Sequence, residues 1–274
     1  MFAVMDLGGT KLEVGMADDQ GKIVESLRIA TGEESPEEVF EKAAAFYTGK
    51  TYEAVGVASF GPLAGHCLSK TTPKRLWRGF DLQQGLAQSG ILKPEMPCEI
   101  LQDVQAEVIA EAKLGNHGDF NLYAYATIST GIGVAFYDVE RNYLFRGAEG
   151  GHVPVPGNPG KCESHKNCWE GTCSGTAIAA KPTGHDLEPT TQWLLQMATA
   201  IYTIHLTTNT DCFILGGGVI DGLGQNQQKT LQQIQQAMTQ INHNYIQLPA
   251  LRISQVKSRA LAGMATWLQM RTTR

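Results

Sequence analysis

A glycine turn between two short apolar strands occurs twice in this chain of 274 residues, and this repeat constrains the fold more than any other feature. Residues 2–17 alternate as a strand, a turn at Gly8 and Gly9, and a second strand. Residues 122–138 follow the same plan around Gly131 and Gly133. Alternating apolar runs bounded by glycine are typical of hairpins. The repeat predicts two similar lobes facing a cleft, an N-terminal lobe at 1–116 and a C-terminal lobe at 117–274.

Strands and helices alternate after each hairpin, which predicts an α/β fold. A capping box at Ser35 and Glu38, with Pro36 in the first helical position, marks one helix start clearly. The last helix could instead pack back on the N-terminal lobe. Further strands are expected at 22–29, 54–58, 99–102, 212–215 and 251–254, and helices at 35–47, 104–113, 190–206, 226–241 and 260–270.

Composition and charge exclude several classes of protein. The formal net charge is -5 and the basic residues are scattered, which argues against a nucleic-acid partner. Asp6 interrupts the N-terminal apolar run too early for a signal peptide, and no run approaches the roughly 20 apolar residues of a membrane span. We therefore expect a cytoplasmic protein with no membrane partner.

Both glycine turns have the residue types that hold phosphate groups. Backbone amides at glycines approach phosphate oxygens closely, and an acid at a strand end can hold Mg²⁺ through water. An ordinary hairpin turn is the alternative for either turn alone, but the repeat and a third glycine cluster favour a nucleoside triphosphate. The predicted phosphate and nucleotide residues are Asp6, Gly8, Gly9, Thr10, Lys11, Thr130, Gly131, Gly133, Gly216, Gly217 and Gly218.

Two histidines and two cysteines lie close together in the second half: His152, Cys162, His165 and Cys168. Four nitrogen and sulfur ligands form the tetrahedral set that zinc prefers, and a site with no open position is structural. Ordinary surface or core histidines are the alternative. The spacing predicts one structural Zn²⁺ that ties an irregular loop to the cleft wall.

Asp103 follows a predicted strand and opens a predicted helix. A carboxylate at such a position points toward the edge of the sheet where ligands bind. A helix N-cap is the commoner role of Asp there, so position alone leaves the choice between a cap and a catalytic base open.

Together these segments resemble the ROK family of sugar kinases and sugar-responsive repressors over nearly the whole chain. The matching segments are residues 6–11, 60–62, Asp103, 130–133, 149–152, 168–171, 174–175 and 216–218. The resemblance implies an actin-like, two-lobed ATPase fold that uses ATP with Mg²⁺, and a homodimer. It also implies that Asp103 takes the proton of the attacking sugar hydroxyl and that Gly175 joins the nucleotide site. The implied sugar-binding residues are Gly61, Pro62, Gln102, Asp103, Glu149, His152 and Glu170.

Within the family, the Cys-x-x-His-x-x-Cys spacing at 162–168 and the stretch at 72–81 look like bacterial fructokinases, which makes fructose the expected acceptor. A kinase for glucose, mannose or an N-acyl-hexosamine is the alternative. A repressor would need a DNA-binding segment ahead of the first strand, which starts at Phe2. A sugar-binding protein without activity would be expected to lose the base or the phosphate turn, and both are present.

Overall fold

The computed structural model describes residues 1–9, 11–72, 74–145, 149–157, 160, 162, 165, 167–179 and 189–272. Its packing divides the chain into two compact units. The first combines Met1–Leu114 with Val256–Arg274, and the second is Gly115–Gln255. The C-terminal segment therefore packs as part of the first unit, one of the two arrangements that the sequence allowed.

Strands and helices are interspersed along the described part of the chain. The strands are β1 (Phe2–Leu7), β2 (Lys11–Ala17), β3 (Ile23–Ala30), β4 (Ala54–Ser59), β5 (Leu63–Ala64), β6 (Cys67–Leu68), β7 (Cys98–Gln102), β8 (Leu122–Ile128), β9 (Ile132–Asp138), β10 (Tyr143–Leu144), β11 (Cys212–Gly216) and β12 (Ala250–Ile253). The helices are α1 (Pro36–Tyr47), α2 (Leu82–Gln88), α3 (Asp103–Leu114), α4 (Trp169–Cys173), α5 (Gly175–Ala179), α6 (Thr191–Thr208), α7 (Gly218–Asp221), α8 (Gln227–Asn242) and α9 (Arg259–Thr272).

The predicted α/β pattern is confirmed, with element ends shifted by at most two residues. The capping box of α1 is present, since the Ser35 hydroxyl accepts from the Glu38 amide and the Glu38 carboxylate accepts from the Ser35 amide. The sequence did not indicate the shortest strands or the short helices α2, α4, α5 and α7. None of the helices in the described part of the chain is long and apolar enough to span a membrane.

The two units contain five-stranded sheets of the same topology. The strand order is β3-β2-β1-β4-β7 in the first unit and β10-β9-β8-β11-β12 in the second. In each sheet three antiparallel strands are followed by two parallel ones. The repeated hairpin seen in the sequence therefore corresponds to the first two strands of each duplicated sheet.

This topology gathers the loops that carry polar residues at one edge of each sheet. In the first unit β1, β4 and β7 run parallel, so the segments after Leu7, Ser59 and Gln102 leave the sheet at the same edge. In the second unit β8, β11 and β12 do the same. Ligands of open α/β sheets bind beyond the carboxyl ends of the parallel strands, which is where these segments lie.

Helix α9 packs against both the sheet of the first unit and α3. Two strand glycines, Gly15 and Gly56, leave room for Leu261, Met264 and Leu268 of α9 against the sheet. Leu261, Met264 and Leu268 are fully buried. The apolar face of α9 thus completes the core of the first unit, although α9 is the last element of the chain.

Gly263 allows α9 to approach α3 closely, and Gly263→Ala should be strongly destabilising. A Cβ at this position would overlap the backbone carbonyl of Ala106, which cannot rotate away as a side chain could. We expect the free energy of unfolding to fall by about 3 kcal/mol or more, measured by urea denaturation. Gly32→Ala is the control, because a Cβ at Gly32 meets open space. A loss below about 1 kcal/mol for Gly263→Ala would show that the two helices separate easily.

Candidate active site

The first glycine turn joins β1 to β2 and presents Asp6 at the end of its strand. The Gly8 amide donates to the Lys11 carbonyl at 2.9 Å, which closes the turn. Burial, followed by the charge of Asp103, raises the pKa of Asp6 to about 7. Asp6 and Asp103 both lie at the carboxyl ends of parallel strands in one sheet, β1 and β7. Thr10, also predicted here, lies outside the described residues.

Asp103 is the first residue of α3 and directly follows β7. Its Oδ1 accepts a hydrogen bond from the Val104 amide at 2.7 Å. An N-cap side chain instead accepts from the amide two or three residues further on. Burial raises the pKa of Asp103 to about 6, and the Val104 amide partly opposes this. The local geometry therefore gives a carboxyl group with a raised pKa and no ordinary capping bond.

The loop after β4 lies against the residue that precedes Asp103. A Cβ at Gly61 would overlap the side-chain amide of Gln102, so this amide occupies the space that glycine leaves open. The Thr72 hydroxyl donates to the Gly61 carbonyl at 3.2 Å, and the Ser69 amide donates to the Pro62 carbonyl at 2.9 Å. The structure thus brings together four of the predicted sugar-binding residues, which lie far apart in the sequence: Gly61, Pro62, Gln102 and Asp103.

Three glycine segments of the second unit meet at Ser129. The Gly175 amide donates to the Ser129 carbonyl at 2.7 Å, and the Gly218 amide donates to the Ser129 hydroxyl at 3.2 Å. The Ser129 amide donates to the Gly131 carbonyl at 2.9 Å. Ser129 was not among the site residues predicted from the sequence. Its place at the start of the second glycine turn was the only signal available.

The other glycines of this region allow close backbone approach. Gly217 has a φ of 90°, and a Cβ there would lie 2.7 Å from backbone atoms of Ile128. A Cβ at Gly151 would overlap the Ile132 carbonyl. Turns packed this closely require glycine at these two positions.

The two predicted carboxylates of the second unit have different surroundings. Glu170 lies in α4 and its Oε2 accepts from the Ile132 amide at 2.9 Å, which ties it to the second glycine turn. Glu149 is exposed, and its backbone carbonyl accepts from the His152 amide. Glu170 is therefore held in place by the turn, whereas Glu149 lies at the surface of its unit.

His152, Cys162 and Cys168 form a cluster with the spacing of a metal site. Their ligand atoms lie within 4.8 Å of one another. The His152 Nδ1 is 3.7 Å from the Cys162 sulfur and 3.6 Å from the Cys168 sulfur. Zinc bonds of about 2.3 Å to sulfur and about 2.1 Å to nitrogen place such ligand atoms about 3.6 Å apart in a tetrahedron. The three residues fit a zinc ion, with His152 contributing Nδ1.

Pairing between two short segments brings these ligands together. The Trp169 amide donates to the Val153 carbonyl, and the Val155 amide donates to the Asn167 carbonyl. This pairing places the residue after Asn167, Cys168, beside the loop that carries His152. The Gly171 amide also donates to the Cys168 sulfur at 3.3 Å. Amide donors of this kind stabilise a thiolate ligand.

His165, the fourth predicted ligand, is near this cluster without belonging to it. Its exposed ring lies with its centroid 4.7 Å from that of His152, and its amide donates to the Cys162 sulfur at 3.4 Å. The cluster of mutually close ligand atoms contains only the other three among the described residues. The role of His165 as the fourth ligand stays a prediction.

Residues 2–271 match the ROK family, which covers almost the entire chain. The chain belongs to the ROK family. This ROK chain is 28% identical over 293 aligned positions to a fructokinase of Lactococcus lactis subsp. cremoris, covering 97% of this chain and 95% of the relative.

Solved structures give the same fold for this ROK chain. A ROK hexokinase from Thermus thermophilus is 21% identical with a TM-score of 0.79, covering 99% of each chain. A ROK family glucokinase from Streptomyces griseus, solved with glucose and AMPPNP, is 21% identical with a TM-score of 0.76, covering 98% of this chain and 99% of that one. The actin-like ATPase fold expected from the sequence is confirmed by these likenesses.

Proposed function

We propose that this ROK chain is a hexose kinase that transfers the γ-phosphate of ATP to a hydroxyl of a free sugar, with fructose as the preferred acceptor and fructose 6-phosphate as the product. The observation that carries the proposal is Asp103, a carboxyl group at the carboxyl end of β7 with a raised pKa of about 6 and no ordinary capping role. The fructokinase relative supports the choice of fructose.

Asp103 has the ionisation that a general base needs. With a pKa of about 6, its carboxylate form predominates at neutral pH. Its basicity is higher than that of an ordinary aspartate, so it accepts the proton of a sugar hydroxyl more readily as that oxygen attacks phosphorus. General bases work best when their pKa lies near the working pH.

Gly61 and Gln102 position the sugar beside Asp103 in this proposal. The Gln102 side chain packs in the space above Gly61. Because Gln102 and Asp103 are consecutive, one sugar could hydrogen-bond to both the Gln102 amide and the Asp103 carboxylate. Three residues of the second unit are proposed as further sugar ligands: Glu149, His152 and Glu170. The two carboxylates among them can accept hydrogen bonds from paired sugar hydroxyl groups. Glu170 is held by the Ile132 amide, which would fix its orientation.

The glycine turns are proposed to hold the phosphate groups of ATP. The glycine segments that meet at Ser129 are proposed to lie along the phosphate groups, and Lys11 adds a positive side chain beside the first turn. Mg²⁺, when bound, offsets the negative charge of the phosphate oxygens, and Asp6 is the residue proposed to hold it through water. The structural zinc proposed at His152, Cys162, His165 and Cys168 would fix the loop that leads into α4.

A panel of hexoses tests the acceptor. With purified protein, ATP and Mg²⁺, fructose should give the highest kcat/KM in an assay of ADP release. Glucose, mannose and N-acetylmannosamine are the competitors. A tenfold preference corresponds to about 1.4 kcal/mol of transition-state stabilisation. If glucose or N-acetylmannosamine exceeds fructose by that factor, the assignment to the fructokinases is wrong. A protein that binds sugar without releasing ADP would instead be the inactive sugar-binding alternative.

A further inference from the structure

Glu107 is a half-buried carboxyl residue on the helix of the proposed base, which also carries the fully buried Glu111. It lies four residues after Asp103 in α3, and residues four apart share one face of a helix. Its Oε2 is shut off from solvent and accepts no hydrogen bond from any residue that the structure describes. The mechanism proposed above gives Glu107 no role, so the burial of its Oε2 needs a separate explanation.

The charges around Glu107 are mostly negative. They are Asp6 of β1, Asp103 and Glu111 of α3, and Arg259 of α9. The β4 strand, which also packs against α3, has no charged side chain, and Glu99 of β7 accepts from the Trp267 indole and pairs with Arg271. The Arg259 Nε also donates to the Val256 carbonyl. One guanidinium therefore faces several carboxyl groups.

An ionised carboxylate oxygen without a donor is strongly disfavoured in such surroundings. Burial is the main cause that raises the pKa of Glu107 well above its ordinary value, and the charge of Asp103 adds to it. When two carboxyl groups interact closely, one ionises first and the other retains its proton over a wide range of pH. The oxygen without a donor marks Glu107 as the group that retains the proton.

We propose that Glu107 is a positioning residue that keeps a proton while Asp103 ionises, so that a neutral carboxyl group one helical turn away sets the alkaline end of the range in which Asp103 works as the base. This inference rests on the proposed kinase function. Ionisation of Glu107 would add a second negative charge beside Asp103. In the proposed reaction the triphosphate of ATP binds near Asp103, so a second negative charge there would disfavour its binding.

Infrared spectroscopy and kinetics test the proposal together. Wild-type protein labelled with ¹³C-glutamate should show the carbonyl band of a protonated glutamic acid at pH 7, and Glu107→Gln should lack it. The label separates this band from Asp6 and Asp103. In the wild type, kcat/KM should fall about tenfold per pH unit beyond the ionisation of Glu107. In Glu107→Gln, that fall should begin at least about one pH unit higher.

The controls make each outcome decisive. Glu41→Gln, on the exposed side of α1, should change neither the band nor the pH profile. The proposal is overturned if the wild type lacks the band, if the acid limb of Glu107→Gln moves down by a unit or more, or if the band is present but both alkaline limbs coincide. The last outcome would make Glu107 purely structural. A wild type that releases no ADP with any hexose would refute the kinase itself, and this inference with it, whatever the band shows.

Discussion

Asp103→Asn should lower turnover by about 10² to 10⁴ fold, the usual contribution of a general base. Asn has nearly the same size, and its Oδ1 can still accept from the Val104 amide, so the change removes the basic group and keeps the local geometry. Steady-state kinetics with saturating ATP and sugar measure the effect. In the wild type, kcat/KM should also fall as pH drops below about 6, where Asp103 takes up a proton.

Protein stability separates this chemical effect from unfolding. Because the pKa of Asp103 is raised in the folded state, folding takes up a proton between about pH 4 and 6, and this group makes the fold less stable as pH rises through that window. Asn avoids this cost, so the variant should be as stable as the wild type at pH 7, or more stable by up to about 3 kcal/mol.

Asp18→Asn is the matched control for Asp103→Asn. The Asp18 carboxylate accepts hydrogen bonds from the backbone amides of Gln20 and Lys22 in a turn. The Asp18→Asn variant should keep turnover within about twofold of wild type. If Asp103→Asn keeps more than about a tenth of wild-type turnover, Asp103 is not the base. The base would then have to be sought at Glu149 or Glu170.

Replacing both Cys162 and Cys168 by Ser should reduce bound zinc from one ion per chain to almost none. These two sulfurs and the His152 nitrogen are the ligand atoms that the structure brings together. Structural zinc contributes directly to folding, so the melting temperature should fall by about 10 °C. Elemental analysis and thermal melting measure the two effects, and treating the wild type with a chelator should give the same shift.

Cys67→Ser is the control for the zinc experiment. Cys67 lies in β6, outside the cluster, so this variant should keep its metal. His165→Asn addresses the fourth ligand and should weaken zinc binding at least about tenfold if His165 completes the site. Zinc retained by the double variant, or missing from wild type purified without chelators, would rule the site out.

Local features of the sequence determined most of the secondary structure. The capping box at Ser35 and Glu38 fixed the start of α1, because its hydrogen bonds join residues three apart. The glycine turns and the alternating apolar runs predicted β1, β2, β8 and β9, because a hairpin depends on a few neighbouring residues. Cys162 and Cys168 could be recognised as a pair since only five residues separate them.

Contacts between distant segments were decided only by the tertiary structure. The sequence contained Ser129, Gly175 and Gly218, but not the hydrogen bonds that join them. Likewise, nothing local indicated that the Nδ1 of His152 would face both sulfurs.

One glycine of α9 and one glutamate of α3 show the physical reason. Gly263 matters only because α9 returns from the end of the chain to lie on Ala106, and Glu107 resembles any helix-surface glutamate until its Oε2 is found buried without a donor. Strand alternation, caps and turns are set by interactions over a few residues, which a sequence displays directly. Burial and close approach depend on how side chains from the whole of a unit fill one core, and that packing exists only once the chain has folded.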